Sequence, residues 1–246
     1  MTLRRRTAAL ALLAAPFLAS APARAAEESV DVALVLLSDV SRSIDDIEFK
    51  MQKEGYAAAL TDRRVIEAIK GGATGGIAIA YVEFAGPREV TTVVDWHTIR
   101  DAASAQSFAT KVQTASRTSW GRTAISSGID HSVTLIAASG LEATRRVIDV
   151  AGDGTNNAGR DIMEARDAAI AAGITINALA IINERPVNWN MAHVQPPGGL
   201  TKWFEDNVIG GPGAFALEVR DFRSFGEAMT RKLINEIAAL PVSPRG

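Results

Sequence analysis

Three features of the 246-residue sequence predict an α/β fold: a doubly wound, mostly parallel central sheet with one antiparallel edge strand and helices on both faces. Continuous β-branched and Leu-rich runs mark strands buried on both faces, as parallel sheets require. Helical patterns alternate with those runs, the signature of βαβ crossovers. One pair of runs, Ile77–Phe84 and Val90–Trp96, is separated only by Ala85-Gly86-Pro87-Arg88-Glu89. That connection is too short for a crossover, so the second run must lie antiparallel to the first.

Each element follows in order. Val30 to Leu37 (VDVALVLL) opens the sheet, and a helix over Asp45–Leu60 returns the chain. Ile77–Phe84 (IAIAYVEF) and its antiparallel neighbour come next, then a helix over Ala102–Thr114 and another over Thr123–Ala138. Arg146–Ala151 (RVIDVA) is a strand, Asp161–Ala172 a helix, and Ile174–Ile182 (ITINALAII) a further strand. Ala214–Val219 (AFALEV) is a weaker strand, and a last helix runs over Asp221–Leu240 until Pro241 stops it. Neither repeat nor linker interrupts the pattern, so residues 27–246 are expected to form a single domain.

Residues 1–25 read as an address. Arg4, Arg5 and Arg6 precede an apolar run from Ala8 to Ala19, which is too short to span a bilayer but suits a signal-peptide core. Ala23-Arg24-Ala25 supplies the small residues a signal peptidase accepts, so cleavage is expected before Ala26. It removes four arginines and takes the net charge from −2 to about −6. No later segment is apolar enough for a membrane span, and an exported protein, periplasmic or secreted, is expected. The acidic balance argues against a nucleic-acid partner. Cysteine is absent, which excludes disulfides, thiol catalysis and thiolate metal sites.

The candidate chemistry lies just past the carboxyl ends of strands, where open α/β sheets bind ligands. Asp39, Ser41 and Ser43 alternate along a tight turn after the first strand, so three short oxygen-bearing side chains can face one point. Asp153 follows the fourth strand between Gly152 and Gly154, and Thr123 offers a further hydroxyl at the start of a helix. Two carboxylates and three hydroxyls are hard ligands, suited to Mg²⁺, Mn²⁺ or Ca²⁺ rather than zinc or copper.

Asp39-Val40-Ser41-Arg42-Ser43, the distant Thr123 and the distant Asp153-Gly154 together resemble the von Willebrand factor A (VWA) domain with its metal-ion-dependent adhesion site. The likeness covers nearly the whole mature chain, and DVSRSID with VIDVAGDGTNN is most similar to exported bacterial A-domain proteins of unknown function. It implies a VWA/Rossmann-like fold in which Ser41 and Ser43 bind the ion directly. Thr123, Asp39 and Asp153 would bind it directly or through water, and a partner's Glu or Asp would complete the octahedron. Integrin β subunits place a second metal on two adjacent acids, whose positions here are Asp46 and Ile47. Only one matches, and Asp45 and Asp46 are better explained as first-turn acids favoured by the helix dipole.

Other conspicuous residues have plainer readings. Glu83 and Asp149 lie inside apolar strands and need an Arg or backbone N–H partners. His97, His131 and His193 share no ligand spacing. Asn156 or Asn157 is expected to cap the helix after the fourth strand, while Arg42 and Arg122 flank the ligand positions and could steer an acidic partner. The Pro/Gly/Asn-rich segment Asn183–Gly199 leaves the edge that carries the site, and Trp189 within it could anchor an interface. Trp203 is as readily a packing residue. Three function classes follow: a metal-dependent interaction module binding an acidic group of another protein, a divalent-metal hydrolase, and a structural A domain with a stabilising metal. No His, Lys or Cys is placed beside the aspartates, and neither a Gly-x-Ser-x-Gly elbow nor a phosphate-loop Lys occurs, so no enzymatic activity is expected.

Overall fold

A computed structural model describes residues 28–182 and 196–238. Six strands form one sheet in the order β3-β2-β1-β4-β5-β6. The strands are β1 (Ser29–Asp39), β2 (Ile77–Phe84), β3 (Val90–Ile99), β4 (Glu142–Gly152), β5 (Ile174–Ile181) and β6 (Ala216–Val219). All neighbouring pairs are parallel except β2 and β3, which run antiparallel at the edge. The five-residue connection dictates that arrangement, as expected from its length.

Among the described residues seven α-helices cover the sheet: α1 (Asp46–Thr61), α2 (Arg63–Lys70), α3 (Ala102–Thr114), α4 (Ile125–Ala138), α5 (Ile162–Ala171), α6 (Leu200–Asn207) and α7 (Phe225–Ala238). The alternation of β1 divides the core in two. Val32, Leu34 and Leu36 pack with Tyr56, Phe108 and Phe225 beneath α1, α3 and α7. Val35 and Leu37 pack with Ile125, Ile129 and Phe204 beneath α4 and α6. Each such side chain contributes about 1.5–3 kcal/mol by leaving water, and this double burial means that the polar side chains within the strands, such as Glu83 and Asp149, need partners of their own.

Helix α2 and the separate helix α6 are additions to the sequence-based expectation. Asp62 caps α2 by accepting the Arg64 amide at 2.7 Å, and Val65 and Ile69 are its buried stripe. Trp203 lies on α6, packed edge-on against Phe204 and half-buried against the core, which settles its role as packing. Residues 1–25, expected to be a signal peptide, and Trp189, His193 and Pro241 lie outside the described residues.

Because β1 sits between β2 and β4, the chain winds away from β1 in both directions, and the crevice opens beyond the carboxyl ends of β1 and β4. Ser38 pairs with Ala151, so Asp39 and Gly152 end their strands side by side.

Candidate metal centre

The crevice gathers all five side chains singled out in the sequence. Thr123 Oγ1 lies 3.1 Å from Ser41 Oγ, which lies 3.1 Å from Ser43 Oγ. Ser43 Oγ donates to Asp153 Oδ1 at 2.7 Å. The Ser41 amide donates to Asp39 Oδ1 at 2.8 Å, closing the turn that brings both serines round. Asp39, Ser41, Thr123 and Asp153 are buried and Ser43 is half-buried.

Asp39 Oδ2 is buried and has no hydrogen-bond partner among the described residues. Burial first, and the nearby Asp153 charge second, push the Asp39 carboxyl up to about 8. A fully buried carboxylate facing a second carboxylate is an arrangement that a cation between them would stabilise. The spacing fits as well. Mg²⁺ holds oxygens at roughly 2.0–2.1 Å in an octahedron, which separates neighbouring ligands by about 3 Å. The three oxygen contacts, at 2.7–3.1 Å, have that separation. The residues therefore fit a hard divalent cation; the group uses two carboxylates with three hydroxyls, and no cluster of three His, Cys, Asp or Glu occurs among the described residues.

The loops carrying these ligands are fixed from below by Arg117, which sequence reasoning did not single out. Its guanidinium donates to the carbonyls of Val40 and Ser41, both at 2.7 Å, of Ile44 at 2.9 Å, and through Nε of Ser119 at 3.0 Å. One side chain thus ties the Asp39–Ser43 turn to the loop before Thr123. Glu83 supports the same loop, accepting the Thr118 amide at 3.0 Å and its hydroxyl at 2.8 Å. This is the backbone pairing expected for a carboxylate in an apolar strand, and burial still raises its pKa. The Gly121 carbonyl accepts the Arg42 amide at 3.1 Å, and a Cβ at Gly121 would stand 2.7 Å from the Gly86 amide nitrogen, so only glycine permits this approach.

One capping expectation is corrected. Asp161, rather than Asn156 or Asn157, caps α5, accepting the amides of Met163 and Glu164. The asparagines instead reach across the crevice. Asn156 accepts the Ser126 amide at the start of α4, and Asn157 accepts the Thr123 amide, both at 3.0 Å. They hold Thr123 against the Asp153 loop, a role set by tertiary approach across thirty or more positions. Asp45 and Asp46 occupy the α1 start as expected, Asp45 forming a capping box with Glu48. Asp149 meets a lysine rather than an arginine: Lys232 of α7 lies fully buried between Asp149 and Glu236. His131 and His97 contact Thr92 and the Ser104 carbonyl on the β3 side, away from the crevice.

A six-stranded α/β sheet with this oxygen cluster at its switch point defines the VWA class of domains. The chain belongs to the family described as protein of unknown function DUF1194, whose model matches residues 29–241. No curated protein matches it in sequence. Its fold is similar to proximal thread matrix protein 1 from the mussel byssus, solved with a zinc-occupied adhesion-site motif, at 17% identity and a TM-score of 0.63, covering 86% of this chain and 49% of that one. It is also similar to a von Willebrand factor type A protein from Catenulispora acidiphila, at 17% identity and a TM-score of 0.56, over 85% of this chain and 43% of that one. The SpaC pilus adhesin of Lactobacillus rhamnosus GG matches at 12% identity and a TM-score of 0.56, over 86% and 32%. The chain thus spans half or less of these proteins. Among the described residues no helix is long and apolar enough to cross a membrane.

Proposed function

We propose that the protein is an exported, metal-dependent interaction module that binds an acidic group of a partner protein. The observation that carries this reading is the buried Asp39–Ser41–Ser43–Thr123–Asp153 cluster at the open end of the sheet. Five protein oxygens at most can serve a six-coordinate ion, so at least one coordination position is left to an outside ligand. When bound, a divalent ion supplies the positive charge that attracts a carboxylate. Ser41, Ser43 and Thr123 present neutral oxygens, so the two aspartates only just balance a divalent ion, and the exposed Arg42 and Arg122 on the same loops supply the positive charge that favours a further carboxylate.

The hard carboxylate and hydroxyl oxygens favour Mg²⁺, Mn²⁺ or Ca²⁺. The zinc in the mussel protein supports a divalent site of similar design. Export rests on the sequence of residues 1–25 and accords with adhesins among the structural relatives.

The test is binding of a carboxylate peptide and its amide counterpart, each in Mg²⁺ and in EDTA. The carboxylate form binds only with metal, and the amide form does not bind. Thr123→Ala weakens that binding at a modest stability cost of about 1–2 kcal/mol, since it removes the hydroxyl and one methyl group of a buried side chain and the chain still folds. Equal binding in EDTA refutes the reading.

A further inference from the structure

We propose that Trp120 and Ile47 form an apolar docking rim beside the metal centre, fitted to a partner segment that carries a large apolar side chain within a residue or two of its metal-seeking carboxylate. The proposal rests on the metal-dependent reading above and adds the class of partner. Among the described residues, Ile47 at 61%, Trp120 at 55% and Met163 at 45% are the exposed large apolar side chains. Single exposed apolar residues are ordinary. Ile47 and Trp120, however, stand on the segments that build the metal centre.

Trp120 precedes Gly121, whose carbonyl accepts the Arg42 amide between Ser41 and Ser43. Ile47 sits in the first turn of α1, four residues past Ser43. The support beneath Trp120 is rigid. The Arg117 guanidinium lies between two rings, 5.0 Å from the Trp120 centroid and 5.6 Å from that of Phe49. Its donors are committed to the four carbonyls named above, so it cannot swing away to meet solvent. Trp120 is thereby held on a charged platform with more than half of its surface in water. An aromatic side chain ordered before binding loses little entropy on contact, which is the property of an interface anchor.

Exposed Asp45 and Asp46 balance exposed Arg42 and Arg122 on these segments, so the partner's acidic sign is set chiefly by the divalent ion the site would hold. Asp46 lies 3.6 Å from Arg117, and Asp45 spends one oxygen on the amides of Ile47 and Glu48. Arg42 and Arg122 are exposed on the flanking loops, and Arg122 makes only a 3.3 Å contact with Asn157. An acidic segment with an adjoining apolar side chain complements both features.

The test uses the purified protein and an array of hexapeptides with a central Asp or Asn flanked by Gly, Leu, Phe or Trp, probed in Mn²⁺ and in EDTA. The wild-type protein retains Asp peptides with apolar flanks about tenfold better than those with Gly flanks, in Mn²⁺ only. Trp120→Ala and Ile47→Ser each lower that preference to about threefold or less, while the Mn²⁺-induced rise in melting temperature persists. A flank preference that is missing in the wild type, or unchanged in both variants, overturns the docking rim and leaves the metal reading standing. Loss of the Mn²⁺ shift in Trp120→Ala also overturns it, because Trp120 would then act by positioning the ligand loop. Asp and Asn peptides retained equally in Mn²⁺ overturn the metal reading and the rim with it.

Discussion

Replacing Asp39 by Asn makes the metal-free protein more stable and insensitive to metal. In the folded chain burial and Asp153 raise the Asp39 carboxyl from 3.8 to about 8. At pH 7 the unfolded chain holds this group ionised while the metal-free fold holds it protonated, and linkage makes that difference about 4 kcal/mol against folding. Asparagine is neutral in both states and its amide oxygen can still accept the Ser41 amide. Allowing for imperfect hydrogen bonding of the buried amide, Asp39→Asn gains about 3 kcal/mol in EDTA, or roughly 6–12 °C in melting temperature for a chain of this size. The sign with pH follows from the same shift. Between about pH 4 and pH 8 the metal-free fold binds more protons than the unfolded chain, so its stability falls as pH rises. Asp149, also raised by burial to about 7, adds a slope of the same sign, and the difference between wild type and Asp39→Asn isolates the Asp39 contribution. Mg²⁺ displaces the Asp39 proton, so its affinity climbs from pH 5 to pH 8. At a hundred times its dissociation constant it stabilises the wild type by about 2.7 kcal/mol and the variant not at all. Scanning calorimetry of both proteins in Mg²⁺ and EDTA at pH 5, 7 and 8 measures every arm. The reasoning fails if Asp39→Asn melts at or below the wild type in EDTA at pH 7, or if Mg²⁺ raises both melting temperatures equally.

Arg117→Met orphans the carbonyls of Val40, Ser41, Ile44 and Ser119 and loosens the serine turn; it lowers stability by about 2–4 kcal/mol and weakens Mn²⁺ binding, with no rescue by Arg117→Lys, whose ammonium lacks the planar fork. Denaturant midpoints and Mn²⁺ titration read both effects. Lys232→Met leaves Asp149 and Glu236 buried without their cation and destabilises by about 3–5 kcal/mol, and adding Asp149→Asn recovers part of that loss in a double-mutant cycle. Gly152→Ala sets a Cβ 3.2 Å from Asp39 Oδ2 and 3.3 Å from Asp39 Cβ, tilting the carboxyl; Mn²⁺ affinity measured by titration calorimetry falls about tenfold or more while the melting temperature in EDTA changes little.

Much of this molecule was legible in one dimension because its determinants are local. A strand buried on both faces must read as an unbroken apolar run, so β1, β2, β4 and β5 announced themselves, and a five-residue connection left β3 no choice but antiparallel pairing. Asp39, Ser41 and Ser43 share a turn, and an acid between two glycines after a strand marks a loop open to close approach. The set of five oxygens is therefore legible along the chain without any distance. Helix α2 was missed although Asp62, Val65 and Ile69 carry a cap and a stripe, because eight residues between a longer helix and a glycine pair give a weak periodic signal.

What the sequence could not fix is whatever depends on approach between distant segments. Nothing near Arg117 in the chain shows that its guanidinium will reach carbonyls 73 to 77 positions away, since backbone acceptors carry no residue code. Asn156 and Asn157 read as caps for the next helix but clamp the previous one, because the crevice brings the Ser126 and Thr123 amides within hydrogen-bond reach of their side-chain oxygens while Asp161 caps α5. Asp149 called for a cation, but only the docking of α7 against the sheet selected Lys232 to supply it. Pattern and composition set the fold and the ligand oxygens; tertiary packing alone decided which groups hold those oxygens in place, because hydrogen-bond partners across the crevice are chosen by distance in space rather than by spacing along the chain.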